Sequence, residues 1–99
     1  MILVGIDIGK NKHTFSMVDR ETGEILSNPS EFINNQEGFL FLIQKMSNYT
    51  KSELLIDMED TGHYHFALLK YLLDSQYTVA LINPTTTDLT RRYLSKAKW

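Results

Sequence analysis

Along residues 2–9, ILVGIDIG, apolar side chains recur at every second position. In an extended backbone Ile2, Val4, Ile6 and Ile8 share one face, and Leu3, Gly5, Asp7 and Gly9 share the other. That alternation predicts a strand with one face in a core. A short link at residues 10–12 leads into HTFSMVD, which alternates in the same way, and the Gly-containing RETGE reads as a turn into EILSN. Three antiparallel strands are expected from these segments. The period then changes. In NNQEGFLFLIQKMSNY, Phe39, Leu42, Ile43 and Met46 recur at helical spacing, and Asn34 with Glu37 forms a capping-box pattern ahead of them.

SELLIDMED reads as a buried strand. TGHYHFALLKYLLDS reads as a helix capped by Thr61, with Tyr64, Leu68, Tyr71 and Leu72 facing the core. YTVALIN is a further strand, and Asn83 followed by Pro84 predicts the start of a last helix, with Asn as cap and Pro at its first position. The order β-β-β-α-β-α-β-α implies an α/β fold with a mixed five-stranded sheet, antiparallel at one edge and parallel at its centre, flanked by helices. Right-handed crossovers place the fourth strand beside the first and parallel to it.

Composition narrows the class. Residues 1–99 suffice for a single domain with a modest core, and 42% hydrophobic with 22% charged residues is the balance of an ordinary globular domain. No apolar run approaches the roughly 18 residues of a membrane span. With no signal-peptide pattern and no cysteine, a cytoplasmic protein is expected. A formal charge of −2 argues against a domain that coats nucleic acid. The charge is nevertheless uneven. Arg91, Arg92, Lys96 and Lys98 crowd the end of the chain, while Asp57, Glu59 and Asp60 cluster within a single short stretch. The basic tail reads first as a solvated helix end and second as a phosphate-backbone contact.

Asp7 is the anomaly in the first strand. An unpaired buried carboxylate costs several kcal/mol or takes up a proton. Either Asp7 sits at a strand end in water, or it holds a ligand that approaches over Gly5 and Gly9. Parity puts Leu55, Asp57 and Glu59 on one face of the fourth strand, with Glu59 at its C-terminal end. Neighbouring strands lie about 4.8 Å apart, so Glu59 and Asp7 are expected to converge. Two carboxylates in a dry site repel, and a divalent cation with hard oxygen ligands, Mg²⁺ or Mn²⁺, resolves the repulsion.

This layout is that of the ribonuclease H-like fold. Three segments, GIDIGKNKH, MEDTGHYHFALLKYL and VALINPTTTDLTRRYLSKAKW, together resemble the N-terminal part of an IS110-family transposase, whose catalytic domain is RuvC-like. The second resembles that family's Met-Glu-Ala-Thr-Gly-x-Tyr pattern, with Asp60 standing where the family commonly has Ala. The resemblance implies Mg²⁺-dependent DNA strand cleavage and joining by acidic residues in the order Asp, Glu, Asp, Asp. Asp7 matches the first position and Glu59 the second, as catalytic and metal-binding residues. The last two belong to a motif expected just beyond SKAKW, and Asp88 lies outside that motif. The chain is therefore expected to be an N-terminal fragment of a longer transposase, inactive alone. DNA is the implied partner, with a guide RNA in the full-length protein and self-association as further expectations, and no membrane.

Two other classes compete. An actin-like or sugar-kinase-like ATPase lobe also begins with a glycine-flanked Asp on a hairpin, but its phosphate loops need far more chain. A non-catalytic assembly module is the other, since an incomplete sheet exposes apolar surface. His63 and His65 point in different directions and are expected to be surface or half-buried, and His13 to be structural. Lys10 and Lys12 read as exposed turn lysines, with a phosphate contact as the lesser reading.

Overall fold

The structure is a computed structural model that describes residues 1–59, 62–82 and 91–94. It contains β1 (Ile2–Asp7), β2 (Lys12–Asp19), β3 (Ile25–Ile33), α1 (Gln36–Met46), β4 (Leu54–Glu59), α2 (Phe66–Asp74), β5 (Val79–Ile82) and β6 (Arg91–Leu94). A single 3-10 turn, Lys51–Glu53, precedes β4. The strands form one sheet in the order β3-β2-β1-β4-β5-β6. The first three are antiparallel neighbours, whereas β4 runs parallel to β1 and β5 parallel to β4. The five expected strands are thus present in the expected order.

Three local expectations are corrected. The last helix, expected from Asn83 and Pro84, lies outside the described residues as far as residue 90, and Arg91–Leu94 is a sixth strand, antiparallel to β5. Its physical reason is the edge of β5, whose free N–H and C=O groups find partners there. The third strand runs on to Ile33, through Pro29. An edge strand tolerates proline because one side of its backbone needs no partner. Finally, α2 begins at Phe66 rather than near Thr61, Gly62 has a positive φ of 82°, and Tyr64 is exposed rather than core-facing.

One face of the sheet carries the core. Val4, Ile6, Phe15, Ile56, Met58 and Val79 pack with Phe39, Leu42 and Met46 of α1 and with Leu68, Leu69 and Leu72 of α2. The alternation read from β1 is obeyed, with Ile2, Val4 and Ile6 buried and Leu3 and Gly5 only half-buried. The cap of α1 is Asn35, whose side chain accepts a hydrogen bond from the Gly38 N–H at 2.9 Å. Asn34, which the sequence pattern favoured as cap, is engaged elsewhere: its Nδ2 donates to the carbonyls of Lys10 at 3.2 Å and Tyr64 at 3.4 Å.

Candidate active site

Asp7 is the last residue of β1 and Glu59 the last of β4. Gly5 pairs with Asp57 and Ile6 with Met58 in the parallel register, so one further step along both strands brings Asp7 level with Glu59. Residues in register on parallel neighbours point to the same side. Both carboxylates therefore lie on the face opposite the core, and both are exposed, so that water hydrates their charge. The anomaly of an acidic residue in an apolar strand resolves into position: the strand is apolar where it is buried and acidic where it emerges.

A pocket of about 300 Å³ opens over this face, and Asp7, Asp57 and Glu59 all line it together with Gly5 and Ile82. The floor at Gly5 is open. A Cβ built there comes no closer than 3.9 Å to Ser16 Oγ, an ordinary contact, so the chain itself does not require glycine for lack of space. What the missing side chain leaves is room above the backbone between the carboxylates. Asp57 was not singled out as a site residue from the sequence, although parity placed it on the Glu59 face; the structure makes it a half-buried wall of the same pocket.

Hard oxygen donors on a common face suit a divalent cation of the Mg²⁺ or Mn²⁺ type. Among the described residues, no group of three or more histidine, cysteine, aspartate or glutamate side chains is arranged to hold a metal ion. Asp7 and Glu59 supply two such oxygen donors at the mouth of the pocket.

Of the histidines, His63 is exposed, whereas His13 and His65 are fully buried, deeper than the sequence suggested for His65. His13 Nδ1 accepts a hydrogen bond from the Gly9 N–H at 3.2 Å, and its ring meets Phe32 edge-on at 5.3 Å. Burial holds the His13 pKa below its ordinary 6.5, opposed by a contact from Asn34 and reinforced by neighbouring His65. Lys12 forms an exposed ion pair with Glu31 at 3.7 Å, and Lys10 is exposed in the turn that follows Asp7. No helix among the described residues is long and apolar enough to cross a membrane.

A sheet with antiparallel edges, a parallel centre and acidic residues ending its two central strands has the layout of the ribonuclease H-like fold. T. thermophilus RuvC, solved in complex with a Holliday junction substrate, shares this fold, with a TM-score of 0.58 at 10% identity over 85% of this chain and 65% of that one. The model of the IS110-type DEDD transposase family matches residues 4–99, and the chain belongs to that family. A curated relative, the pilin gene-inverting protein of Moraxella lacunata, is 30% identical over 83 residues, which span 82% of this chain and 24% of that protein. The chain thus spans about a quarter of that relative's length. A Ppx/GppA phosphatase of Aquifex aeolicus overlaps 85% of this chain and 36% of its own with a TM-score of 0.42 at 14% identity. The family match favours a transposase over an actin-like ATPase lobe.

Proposed function

We propose that this chain is the N-terminal part of the catalytic domain of a DNA transposase, in which Asp7 and Glu59 are ligands of the divalent cation used for strand cleavage and joining. The observation that carries the proposal is the β1–β4 register, which aligns two carboxylates from distant parts of the sequence at the mouth of one pocket. Mg²⁺ or Mn²⁺ bound there would neutralise phosphoryl oxygens and activate the attacking oxygen. The chain's own contribution is to hold the two carboxylates on rigid strand ends, with the Gly5 floor leaving space for the phosphodiester. DNA is the substrate class that family membership supports.

Two carboxylates are an incomplete ligand set for a divalent cation. The expected behaviour of the 99-residue chain is therefore weak metal binding without cleavage. Titrating Mn²⁺ into the labelled chain tests the site: paramagnetic broadening of amide signals should centre on the ends of β1 and β4 and disappear in Asp7→Asn. Broadening centred elsewhere would refute the assignment. Robust DNA cleavage by the 99-residue chain, lost in Asp7→Ala, would show instead that the pair suffices.

A further inference from the structure

The turn that follows Asp7 and the segment that follows Glu59 are tied to one another by a side chain belonging to neither. Asn34 lies between β3 and α1, and its Nδ2 donates to the Lys10 carbonyl on one side and to the Tyr64 carbonyl on the other. Its own backbone N–H donates to the Asn11 carbonyl at 2.9 Å. The turn is closed from within by the Gly9 N–H bond to His13 Nδ1, and a Cβ at Gly9 would collide with the Lys12 carbonyl oxygen.

The chemistry of the two side chains is complementary. Because Nδ1 of His13 accepts from Gly9, the neutral ring carries its proton on Nε2 and is a donor there. Because Nδ2 of Asn34 is spent on two carbonyls, its Oδ1 is an acceptor. Both remaining atoms are buried and make no other hydrogen bond.

We propose that Asn34 is a positioning residue that braces the turn after Asp7 against the segment after Glu59 and so sets the spacing of the two carboxylates. This rests on the assignment of Asp7 and Glu59 as a metal pair for its functional meaning, but not for the brace itself. The paired register of β1 and β4 ends at Ile6 and Met58, one step short of the two acidic residues. Asn34 adds a side-chain link between the segments that follow that last pair.

The test compares Asn34→Ala with Asn35→Ala in the 99-residue chain. Asn35→Ala removes the cap of α1 and lowers stability without touching either carbonyl of the brace, so it serves as a destabilised control. In Asn34→Ala, amide hydrogen exchange should rise by about fivefold or more at residues 8–11 and 62–65 together, as expected for one lost hydrogen-bonded link. In Asn35→Ala those segments should be unchanged. Mn²⁺ affinity should fall severalfold in Asn34→Ala and hold in Asn35→Ala. Unchanged exchange in Asn34→Ala, or equal loss of Mn²⁺ affinity in both variants, overturns the proposal. Coupled exchange in a chain whose Mn²⁺ binding ignores Asp7→Asn upholds the brace and refutes the metal pair.

Discussion

Asp7 and Glu59 end neighbouring parallel strands one step past the last paired residues, Ile6 and Met58. Like charges so placed repel one another, and a bound cation reverses the sign of that interaction. In metal-free buffer Asp7→Asn should leave thermal stability equal to or slightly above that of the parent chain. Added Mg²⁺ should raise the melting temperature of the parent chain by linkage and leave that of Asp7→Asn unmoved. Equal Mg²⁺ stabilisation in both, read by scanning calorimetry, would count against the assignment.

Gly5 separates folding from function. With Ser16 Oγ 3.9 Å from the position of a Cβ, Gly5→Ala should fold normally and gain about 0.5–1 kcal/mol from the reduced backbone freedom of the unfolded chain. Gly5→Leu should fill the pocket floor and abolish the Mn²⁺ response at Asp7 and Glu59. Urea unfolding and the same titration check both, and a Leu variant that binds Mn²⁺ normally would place the ligand elsewhere.

Stability should depend on pH through His13. Burial lowers its pKa in the native state from 6.5, so between the lowered value and 6.5 the unfolded chain binds more protons than the folded one. The contribution of the neutral ring is full above 6.5 and is lost as pH falls through that window. Protonation of Nδ1 would also break its bond from Gly9. Denaturant midpoints measured from pH 5 to 8 should rise with pH in the parent chain and flatten in His13→Asn; an identical slope in the variant would assign the effect to another group.

The helix cap offers a local check. Asn35→Ala should cost about 1 kcal/mol, since the Gly38 N–H loses its side-chain acceptor. Within the core, Leu42→Ala should cost about 2–5 kcal/mol, because Leu42 of α1 is fully buried in the core cluster. Chemical denaturation that ranked the two the other way would contradict the packing described.

Much of this was legible because β1 and β2 each bury one parity of side chains, and parity is written in the sequence. The parallel pairing of β1 with β4, and with it the convergence of Asp7 and Glu59, followed from crossover handedness. What escaped was decided by neighbours. The spacing to Glu37 favoured Asn34 as the cap, and the role fell to Asn35 because Asn34 is claimed by carbonyls of Lys10 and Tyr64. Pro29 looks like a strand stop, but an edge strand accommodates it. The wall formed by Asp57 becomes apparent only once β4 lies beside Gly5. β6 depends on the free edge of β5, which no local pattern announces.

The seam between β1 and β4 also sets a timetable. The β1–β2–β3 meander closes through short turns, whereas Asp7 and Glu59 stand 52 positions apart in sequence and meet only when that seam zips. Closing so long a loop is entropically expensive and is repaid only by contacts made afterwards. A folding chain therefore acquires its first carboxylate early, on a local hairpin, and its second late, so that a cation held by the pair would report closure of the β1–β4 seam.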